Sequence, residues 1–222
     1  MRVVEDLGAD ILNERADELI DQMRQVRRPR LFIISGPSGV GKDAVIERMR
    51  EAHPDFHYVV TATTRPRRPG EIDGVHYYFM TEAEFVAQHG QDGFLEAAVV
   101  YGNWYGVPKS RIRSALQSGM SVVVKVDVQG SATIRQSIPQ SVLIFLVPPS
   151  MSELLGRLRS RKTDDPDVLM QRLSTATREL AAAKSFDYVV FNESDELDET
   201  VKQISAIIVA ESSRMEQHEI TV

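Results

Sequence analysis

A cluster of glycines that ends in a lysine has the residue types and the spacing best suited to chemistry in this chain. The stretch is Gly36-Pro37-Ser38-Gly39-Val40-Gly41-Lys42-Asp43. It fits the phosphate-loop pattern, in which glycines without Cβ atoms let the backbone turn tightly and aim several N–H groups at a phosphate. The lysine ammonium can bind the β- and γ-phosphates of a nucleotide. The sequence therefore predicts a nucleotide-phosphate site over residues 36–43.

A buried strand before this loop and a helix after it are needed to position it. Residues 31–34 form a short, continuous apolar run that suits a central strand covered on both faces. Residues 43–50 carry apolar side chains at helical spacing, and the positive end of the helix dipole would add to anion binding. This context favours a true phosphate loop over a βα turn that is merely rich in glycine.

Arg65, Arg67 and Arg68 form a second candidate phosphate site. They lie within residues 64–74, where the proline and glycine content predicts a loop directly after a strand. Arginine guanidinium groups match phosphate oxygens bidentately. A solvated basic loop is the ordinary interpretation of such a run, but its position in a protein with a phosphate loop favours a second phosphate site.

Two acidic residues are the candidate metal contacts. Asp43 follows Lys42, where the phosphate-loop pattern normally has a hydroxyl residue that binds Mg²⁺. Asp127 ends the buried-strand run 122–127, and an acid at the carboxyl end of a parallel strand beside a phosphate loop can hold a metal-bound water. We therefore predict that Mg²⁺ contacts Asp43 and Asp127.

Composition describes an ordinary globular protein and excludes several classes of function. The chain has 222 residues, of which 42% are hydrophobic and 26% charged, with a net charge of −6 and no cysteine. It can bury a sizeable core, but it has no disulfide framework, thiol nucleophile or cysteine-based metal site. The acidic balance and the lack of a membrane-length apolar run predict neither nucleic acid nor membrane as a partner. We expect a cytoplasmic protein that is a monomer or a homodimer.

Several further motifs follow one another in an order that resembles the guanylate kinase family. They are Thr63-Thr64-Arg65, Arg68-Pro69-Gly70-Glu71, Tyr77-x-Phe79, Phe94-Leu95-Glu96 and Gly102-Asn103-x-Tyr105-Gly106. The resemblance extends from the phosphate loop to about Glu211, and the variants at 41–45, 107–109 and 126–130 look closest to the plastid-type branch. It implies transfer of the γ-phosphoryl group of ATP to GMP and dGMP, with ADP and GDP as products, in purine nucleotide metabolism.

The resemblance implies an α/β fold, that of the P-loop nucleoside monophosphate kinases. Such a fold has a mostly parallel sheet flanked by helices, a strand-rich GMP-binding insertion and a short helical lid. The implied division is an N-terminal helical extension (1–28), a P-loop core (29–60, 107–155 and 176–211), a GMP-binding subdomain (61–106), a lid (156–175) and a frayed C-terminal tail (212–222). Apolar residues at helical spacing predict one helix over 3–27, packed on the main domain, with self-association as the alternative.

The resemblance also implies which residues bind each substrate. Glu96 stands where the family has the carboxylate that accepts hydrogen bonds from N1–H and the exocyclic amine of guanine. The expected GMP-binding residues are Thr61, Arg65, Arg68, Tyr77, Glu96, Tyr105 and Asp127. The expected ATP-binding residues, with Mg²⁺ as cofactor, are Gly36, Pro37, Ser38, Gly39, Val40, Gly41, Lys42, Asp43, Arg161 and Asn192. The expected catalytic residues are Lys42, Arg161, Arg172, Arg65 and Arg68.

Two positions besides Asp43 depart from the family. Val107 replaces a Ser or Thr that contacts the base, and Lys125 replaces an acid on the strand expected beside the phosphate loop. We predict an ion pair between Asp43 and Lys125; the alternative is that Asp43 is only an acid favoured by the helix dipole. The alternative functions are a kinase of another small phosphorylated substrate on the same fold and a non-catalytic guanylate-kinase-like module that binds a phosphopeptide.

Overall fold

The computed structural model describes residues 14–23, 28–100, 102–159, 166–215 and 220–222. Within these ranges the chain forms a five-stranded sheet and a four-stranded sheet, with helices packed around them. This is the α/β architecture that the sequence predicts. No helix in the described ranges is long and apolar enough to cross a membrane.

The larger sheet is parallel and has the strand before the phosphate loop at its centre. Its strands are β1 (Leu31–Ser35), β2 (His57–Tyr58), β7 (Val122–Lys125), β8 (Val142–Val147) and β9 (Tyr188–Phe191). They are ordered β2-β7-β1-β8-β9, and every pairing is parallel. All of β1 is buried, which explains why a continuous apolar run encodes it rather than an alternating pattern.

Helices cover both faces of the larger sheet and one side of the smaller one. They are α1 (14–23), α2 (Lys42–Ala52), α3 (Glu82–Gly90), α4 (Lys109–Gln117), α5 (Val128–Ser137), α6 (Met151–Arg159), α7 (Pro166–Ala181) and α8 (Leu197–Ser212). On one face of β1, Ile33 shares a buried cluster with Ile112 of α4. On the other face, Ile34 shares one with Met49 of α2 and Ile204 of α8.

The smaller sheet forms the insertion between β2 and α4. Its strands are β3 (Ala62–Thr63), β4 (Tyr78–Phe79), β5 (Phe94–Val100) and β6 (Asn103–Pro108), in the order β4-β3-β6-β5. The ring of Phe85 in α3 stacks on Phe94 at 4.4 Å and on Trp104 at 5.3 Å between ring centroids. The insertion therefore has an apolar core of its own. A capping box formed by Thr81 and Glu84 begins α3.

The N-terminal helix is exposed over the part that the structure describes. In α1 every side chain is exposed, including Leu19 at 48%, Ile20 at 45% and Met23 at 56%. The prediction that this helix packs on the main domain is therefore wrong for 14–23, and the rest of its predicted span lies outside the described residues. An apolar stripe specifies an amphipathic helix but does not specify what covers it.

The C-terminal tail is partly docked on the core. Helix α8 extends to Ser212, and Ile220 is buried in the cluster that contains Ile33. Arg113 of α4 donates hydrogen bonds to the carbonyl oxygen of Val222 at 3.0 and 2.8 Å. The prediction of a frayed tail over 212–222 is therefore wrong at Ser212 and at 220–222. Residues 216–219 lie outside the described ranges.

Candidate active site

The phosphate loop takes the backbone shape that its glycines predict. Gly36, Gly39 and Gly41 have φ values of +143°, +84° and +106°, which side chains with a Cβ rarely adopt. A Cβ at Gly36 would lie 2.5 Å from the carbonyl oxygen of Leu146, and one at Gly41 would lie 2.4 Å from Nδ2 of Asn192. Glycine is therefore required here both by conformation and by close packing behind the loop.

Lys42, the first residue of α2, folds back over the loop that precedes it. Its Nζ donates hydrogen bonds to the carbonyl oxygens of Gly36 at 2.5 Å and Pro37 at 3.0 Å. Burial lowers the pKa of Lys42 to about 8, although the carboxylates of Glu179 and Asp43 act in the opposite direction. A buried cation bonded to neutral carbonyls is stabilised by an incoming anion, so this arrangement favours phosphate binding.

Glu179 of α7 reaches the phosphate loop, a contact that the sequence analysis missed. Its Oε2 accepts a hydrogen bond from the backbone N–H of Ser38 at 3.3 Å. Burial raises the pKa of the Glu179 carboxyl, and nearby Lys42 opposes that shift. The Glu179 carboxylate thus accepts a hydrogen bond from a backbone N–H group of the kind that a phosphate loop donates to a phosphate oxygen. The two partners are 141 positions apart, so no local pattern signals this contact.

The carbonyl group of Val40 is held from behind by two side chains. Asn192 donates to it through Nδ2 at 2.7 Å, and Arg157 of α6 donates through Nη1 at 3.0 Å. The Oδ1 atom of Asn192 accepts from Thr200 at 3.1 Å, and Asn192 is buried. The sequence predicts Asn192 as an ATP-binding residue; its side-chain amide braces the phosphate loop. Arg157, which was not among the predicted site residues, shares that role.

An arginine–tyrosine cluster lies in the insertion, consisting of Arg65, Tyr77 and Tyr105. Both terminal nitrogens of Arg65 donate to Glu71, at 3.1 and 2.7 Å, and this contact raises the pKa of Arg65. The Arg65 guanidinium lies 5.4 Å from the Tyr77 ring centroid, and the Tyr77 and Tyr105 rings meet edge to face at 6.1 Å. Arg68 is exposed, and its backbone N–H donates a hydrogen bond to the Glu71 carboxylate at 2.7 Å.

Glu96 of β5 is buried beside the first turn of α5. Burial, together with the nearby charge of Asp127, raises the pKa of Glu96 to about 7. Asp127 caps α5 by accepting from the N–H of Gly130 at 2.7 Å, and a Cβ at Gly130 would lie 2.9 Å from the Glu96 carboxyl carbon. Val107 is paired with Glu96 across the β5–β6 ladder and is fully buried. Thr61, just before β3, is also buried.

The predicted ion pair between Asp43 and Lys125 is confirmed. The Lys125 ammonium donates to Oδ1 of Asp43 and lies 5.2 Å from the Tyr77 ring centroid. Burial would lower the pKa of Lys125, but the Asp43 carboxylate and the Tyr77 hydroxyl outweigh it, so the pKa is raised. Because Lys125 ends β7 beside Ile34 of β1, the pair lies at the carboxyl edge of the sheet, next to the phosphate loop.

The acidic residues near the loop suit a Mg²⁺ ion that is held jointly with nucleotide phosphates. The Asp43 side chain is 72% exposed, whereas one Asp127 oxygen caps α5. Within the described residues there is no group of three or more His, Cys, Asp or Glu that could hold a metal ion. In nucleotide sites Mg²⁺ takes one or two carboxylates together with phosphates and water, so this donor set fits the ion.

The catalytic roles of Arg161 and Arg172, the two arginines of the predicted lid, stay predictions. Arg161 lies outside the described residues. Arg172 belongs to α7, but the structure describes only its backbone. Helices α6 and α7, which overlap the predicted lid (156–175), bring Arg157 and Glu179 to the phosphate loop, and neither contact was predicted.

The fold and the site together define a class of protein. A phosphate loop joins β1 and α2 at the carboxyl edge of a parallel sheet. An inserted sheet holds the arginine–tyrosine cluster and Glu96. A loop that binds nucleotide phosphates combined with a second cationic site is the arrangement of a P-loop nucleoside monophosphate kinase.

Comparisons with known proteins narrow this class to one family. The sequence model of the guanylate kinase family matches residues 28–211. The chain is 44% identical over 196 residues to guanylate kinase 2, chloroplastic/mitochondrial, of Oryza sativa subsp. japonica, covering 88% of this chain and 69% of that protein. It is 39% identical over 199 residues to the guanylate kinase of Clostridium perfringens strain 13, covering 90% and 91%. This chain belongs to the guanylate kinase family.

A solved structure agrees with this assignment. The guanylate kinase from Anaplasma phagocytophilum has a TM-score of 0.69 to this chain at 30% sequence identity. The match covers 88% of this chain and 91% of that one. The five-stranded parallel sheet and the smaller inserted sheet are therefore the architecture of a family member.

Proposed function

We propose that this chain transfers the γ-phosphoryl group of ATP to GMP, and to dGMP, with ADP and GDP or dGDP as products. The observation that carries the proposal is the pairing of a phosphate loop with a buried carboxylate, Glu96, in the inserted sheet. The guanylate kinase relatives support the same substrates. The reaction belongs to purine nucleotide metabolism.

The donor side binds the phosphates of ATP along residues 36–43. The loop N–H groups and the positive end of α2 offset phosphate charge, and Lys42 turns from the loop carbonyls to the β- and γ-phosphates. An oxygen of the GMP phosphate attacks the γ-phosphorus in line, and the bond to the bridging β,γ oxygen breaks as ADP leaves. The attacking phosphate is already anionic, so positioning and charge neutralisation carry the catalysis.

The acceptor side holds the GMP phosphate on Arg65, Arg68, Tyr77 and Tyr105. Two guanidinium groups and two phenol hydroxyls suit a phosphate dianion. Arg161 and Arg172 of the proposed lid stabilise charge on the transferring group. The domain division proposed from the sequence assigns these two sets of residues to the GMP-binding subdomain and to the lid.

Glu96 selects guanine. In its ionised form it accepts hydrogen bonds from N1–H and from the exocyclic amine, whereas adenine presents a lone pair at N1. A buried mismatch of this kind leaves a polar group unpaired and is strongly discriminated against. Asp127 and Thr61 complete the proposed base site, and Val107 lies beside Glu96 where a hydroxyl residue is usual in the family.

Mg²⁺ is the proposed cofactor. Asp43 and Asp127 would hold it, directly or through water, together with the phosphates of ATP. When bound, the ion neutralises phosphate charge during transfer. Asp43 is paired with Lys125, so its carboxylate is shared between the ammonium and the site of the ion.

The cytoplasm is the proposed compartment. The absence of cysteine supports it, while the rice relative, named chloroplastic/mitochondrial, makes an organelle the alternative. Fractionation of the source cells separates the two compartments.

The proposed oligomeric state is a monomer or a homodimer. Light scattering on purified protein distinguishes the two.

An assay coupled to ADP formation tests the proposed function. ATP is supplied with GMP, dGMP, AMP or UMP in turn, at matched concentrations. We expect turnover with GMP and dGMP and at least about 10²-fold lower kcat/KM with AMP and UMP. The absence of ADP formation with any acceptor would favour the non-catalytic phosphopeptide-binding module. A preference for AMP or UMP would favour a kinase of another small phosphorylated substrate.

A further inference from the structure

Lys125 lies between the donor and acceptor halves of the site. On the donor side it is paired with Asp43, the residue next to Lys42. On the acceptor side it lies 5.2 Å from the Tyr77 ring centroid, and the Tyr77 hydroxyl helps to hold it protonated. Its side chain is 21% exposed, so it is largely buried but still accessible to solvent.

Tyr77 links Lys125 to the arginine–tyrosine cluster. The Tyr77 ring contacts Tyr105 at 6.1 Å and carries the Arg65 guanidinium at 5.4 Å from its centroid. An oxygen that accepts a hydrogen bond from the Tyr77 hydroxyl would therefore lie close to the Lys125 ammonium. A lysine ammonium has three N–H donors, more than Asp43 and the Tyr77 hydroxyl use.

We propose that Lys125 binds the phosphate of the acceptor nucleotide and is a substrate contact of the transfer reaction. The inference rests on the proposed function, because it takes Arg65, Tyr77 and Tyr105 as ligands of the GMP phosphate. The attacking phosphate is held between Arg65 and Lys125. Lys125 is paired with Asp43, the residue next to Lys42, so both cations act on the two phosphates that must approach each other.

The competing explanation is that Lys125 serves only to neutralise Asp43. In that case its removal would matter because the Asp43 carboxylate, which repels the incoming phosphates, loses the charge of this ammonium. Removing the carboxylate as well would then restore binding. If Lys125 contacts the phosphate itself, removing Asp43 cannot restore the missing contact. The effect must also depend on the phosphate of the ligand and disappear with guanosine.

Calorimetric titration without ATP or Mg²⁺ tests this inference. GMP and guanosine are each titrated into the unmodified chain, Lys125→Met, and Lys125→Met with Asp43→Asn. Lys202→Met is the matched control, because Lys202 also pairs with an acid, Glu199, on the surface of α8. We expect Lys125→Met to weaken GMP binding about ten- to a hundredfold, with guanosine affinity within about twofold and no restoration in the double variant. Lys125→Arg, which keeps the charge, should recover part of the loss.

Three results would overturn the inference. They are unchanged GMP affinity in Lys125→Met, recovery of GMP affinity in the double variant, and an equal loss of GMP and guanosine affinity, which would indicate a damaged fold. Failure of the unmodified chain to bind GMP would instead overturn the proposed function, and with it this inference. Because that result appears without any substitution, the two failures are distinguishable.

Discussion

The phosphate loop is held by side chains from other elements of the core, whereas the arginine–tyrosine cluster is oriented by an acid of its own loop. Val40 of the phosphate loop is braced by Asn192 and Arg157. In the insertion, Arg65 is oriented by Glu71, and the surrounding loop 66–70 is exposed. Both regions bind phosphate in the proposed reaction, but only the first is surrounded by the core.

This difference indicates how the two sites are prepared for their ligands. The backbone of the donor loop is preorganised, because its shape is fixed by glycine conformations and packed side chains, so ATP has to displace only side-chain contacts, those of Glu179 and Lys42. In the cluster, Glu71 neutralises the guanidinium that a phosphate would bind, so acceptor binding must share or displace that contact. Substitutions should therefore have larger effects at the donor loop and at the buried Glu96 than at the exposed acceptor loop.

The largest effect is expected at Lys42. Lys42→Met removes the cation at the transferring group, and kcat should fall by about 10²- to 10³-fold. The melting temperature should change little, because the side chain bonds only to loop carbonyls of its own segment among the contacts described. Steady-state assays measure the first and thermal denaturation the second. Lys202→Met, on the surface of α8, should retain activity within about twofold; retention of full activity by Lys42→Met would contradict the donor role.

The next largest effect is expected at Glu96. Glu96→Gln keeps the shape but replaces an acceptor oxygen by an amide donor, which would face a donor of guanine. The kcat/KM for GMP should fall about a hundredfold while the KM for ATP stays within about twofold. The assay is run with both substrates varied. An equal loss for both substrates would show that Glu96 supports the fold rather than the base site.

The affinity for the guanine base should depend on pH because of Glu96. The pKa of Glu96 is raised to about 7, and only the ionised form accepts both guanine donors, so affinity should rise with pH through that value. Guanosine is the appropriate ligand, because it lacks a phosphate that titrates nearby. Its affinity should increase about tenfold between pH 6 and pH 8, as the ionised fraction increases. In Glu96→Gln the profile should be flat, and a sloping profile there would assign the titration to another group.

A smaller effect on substrate binding, but a clear one on stability, is expected at Gly41. Gly41→Ala places a Cβ 2.4 Å from Asn192 Nδ2 at a φ of +106°. Gly119→Ala is the matched control, since its φ is +81° and nothing lies within 4 Å of the added Cβ. We expect a loss in the free energy of unfolding of about 3 kcal/mol for the first and about 1 kcal/mol for the second. ATP affinity should fall about fivefold in Gly41→Ala only; equal losses would show that the Val40 brace is unimportant.

The smallest effect is expected at Glu71. Glu71→Gln weakens the contact that orients Arg65 but also removes a competing negative charge, and these two consequences partly cancel. The KM for GMP should therefore rise only about threefold, with the KM for ATP unchanged. A hundredfold loss would mean that the acceptor loop is as preorganised as the donor loop. The comparison between the two regions would then fail.

Local patterns predicted the parts of the site that are local in sequence. The glycine spacing predicted the phosphate loop, and the apolar run 31–34 predicted its central strand. The pair formed by Asp43 and Lys125 is a long-range contact that could be predicted only because two departures from the family's pattern had opposite charge.

Contacts between distant elements were not predictable in this way. Glu179 and Arg157 reach the phosphate loop from α7 and α6, and nothing in their local sequence distinguishes them from surface residues of a helix. Ile220 docks on the core from a polar segment, and α1 has an apolar stripe that remains exposed. In each case the outcome depends on which surfaces meet in the folded chain, and local spacing does not encode that.

The central position of β1 has a consequence for synthesis of the protein. Its two neighbours in the sheet are β7 and β8, which lie 91 or more residues later in the chain (31 to 122 and 32 to 142). The strand that supports the phosphate loop therefore has no partner in the sheet until β7 has emerged from the ribosome, and it gains its second partner only when β8 follows. Pairings of such long sequence separation form slowly. A nascent chain that ends before β8 should not retain ATP, and nucleotide binding should begin only late in translation.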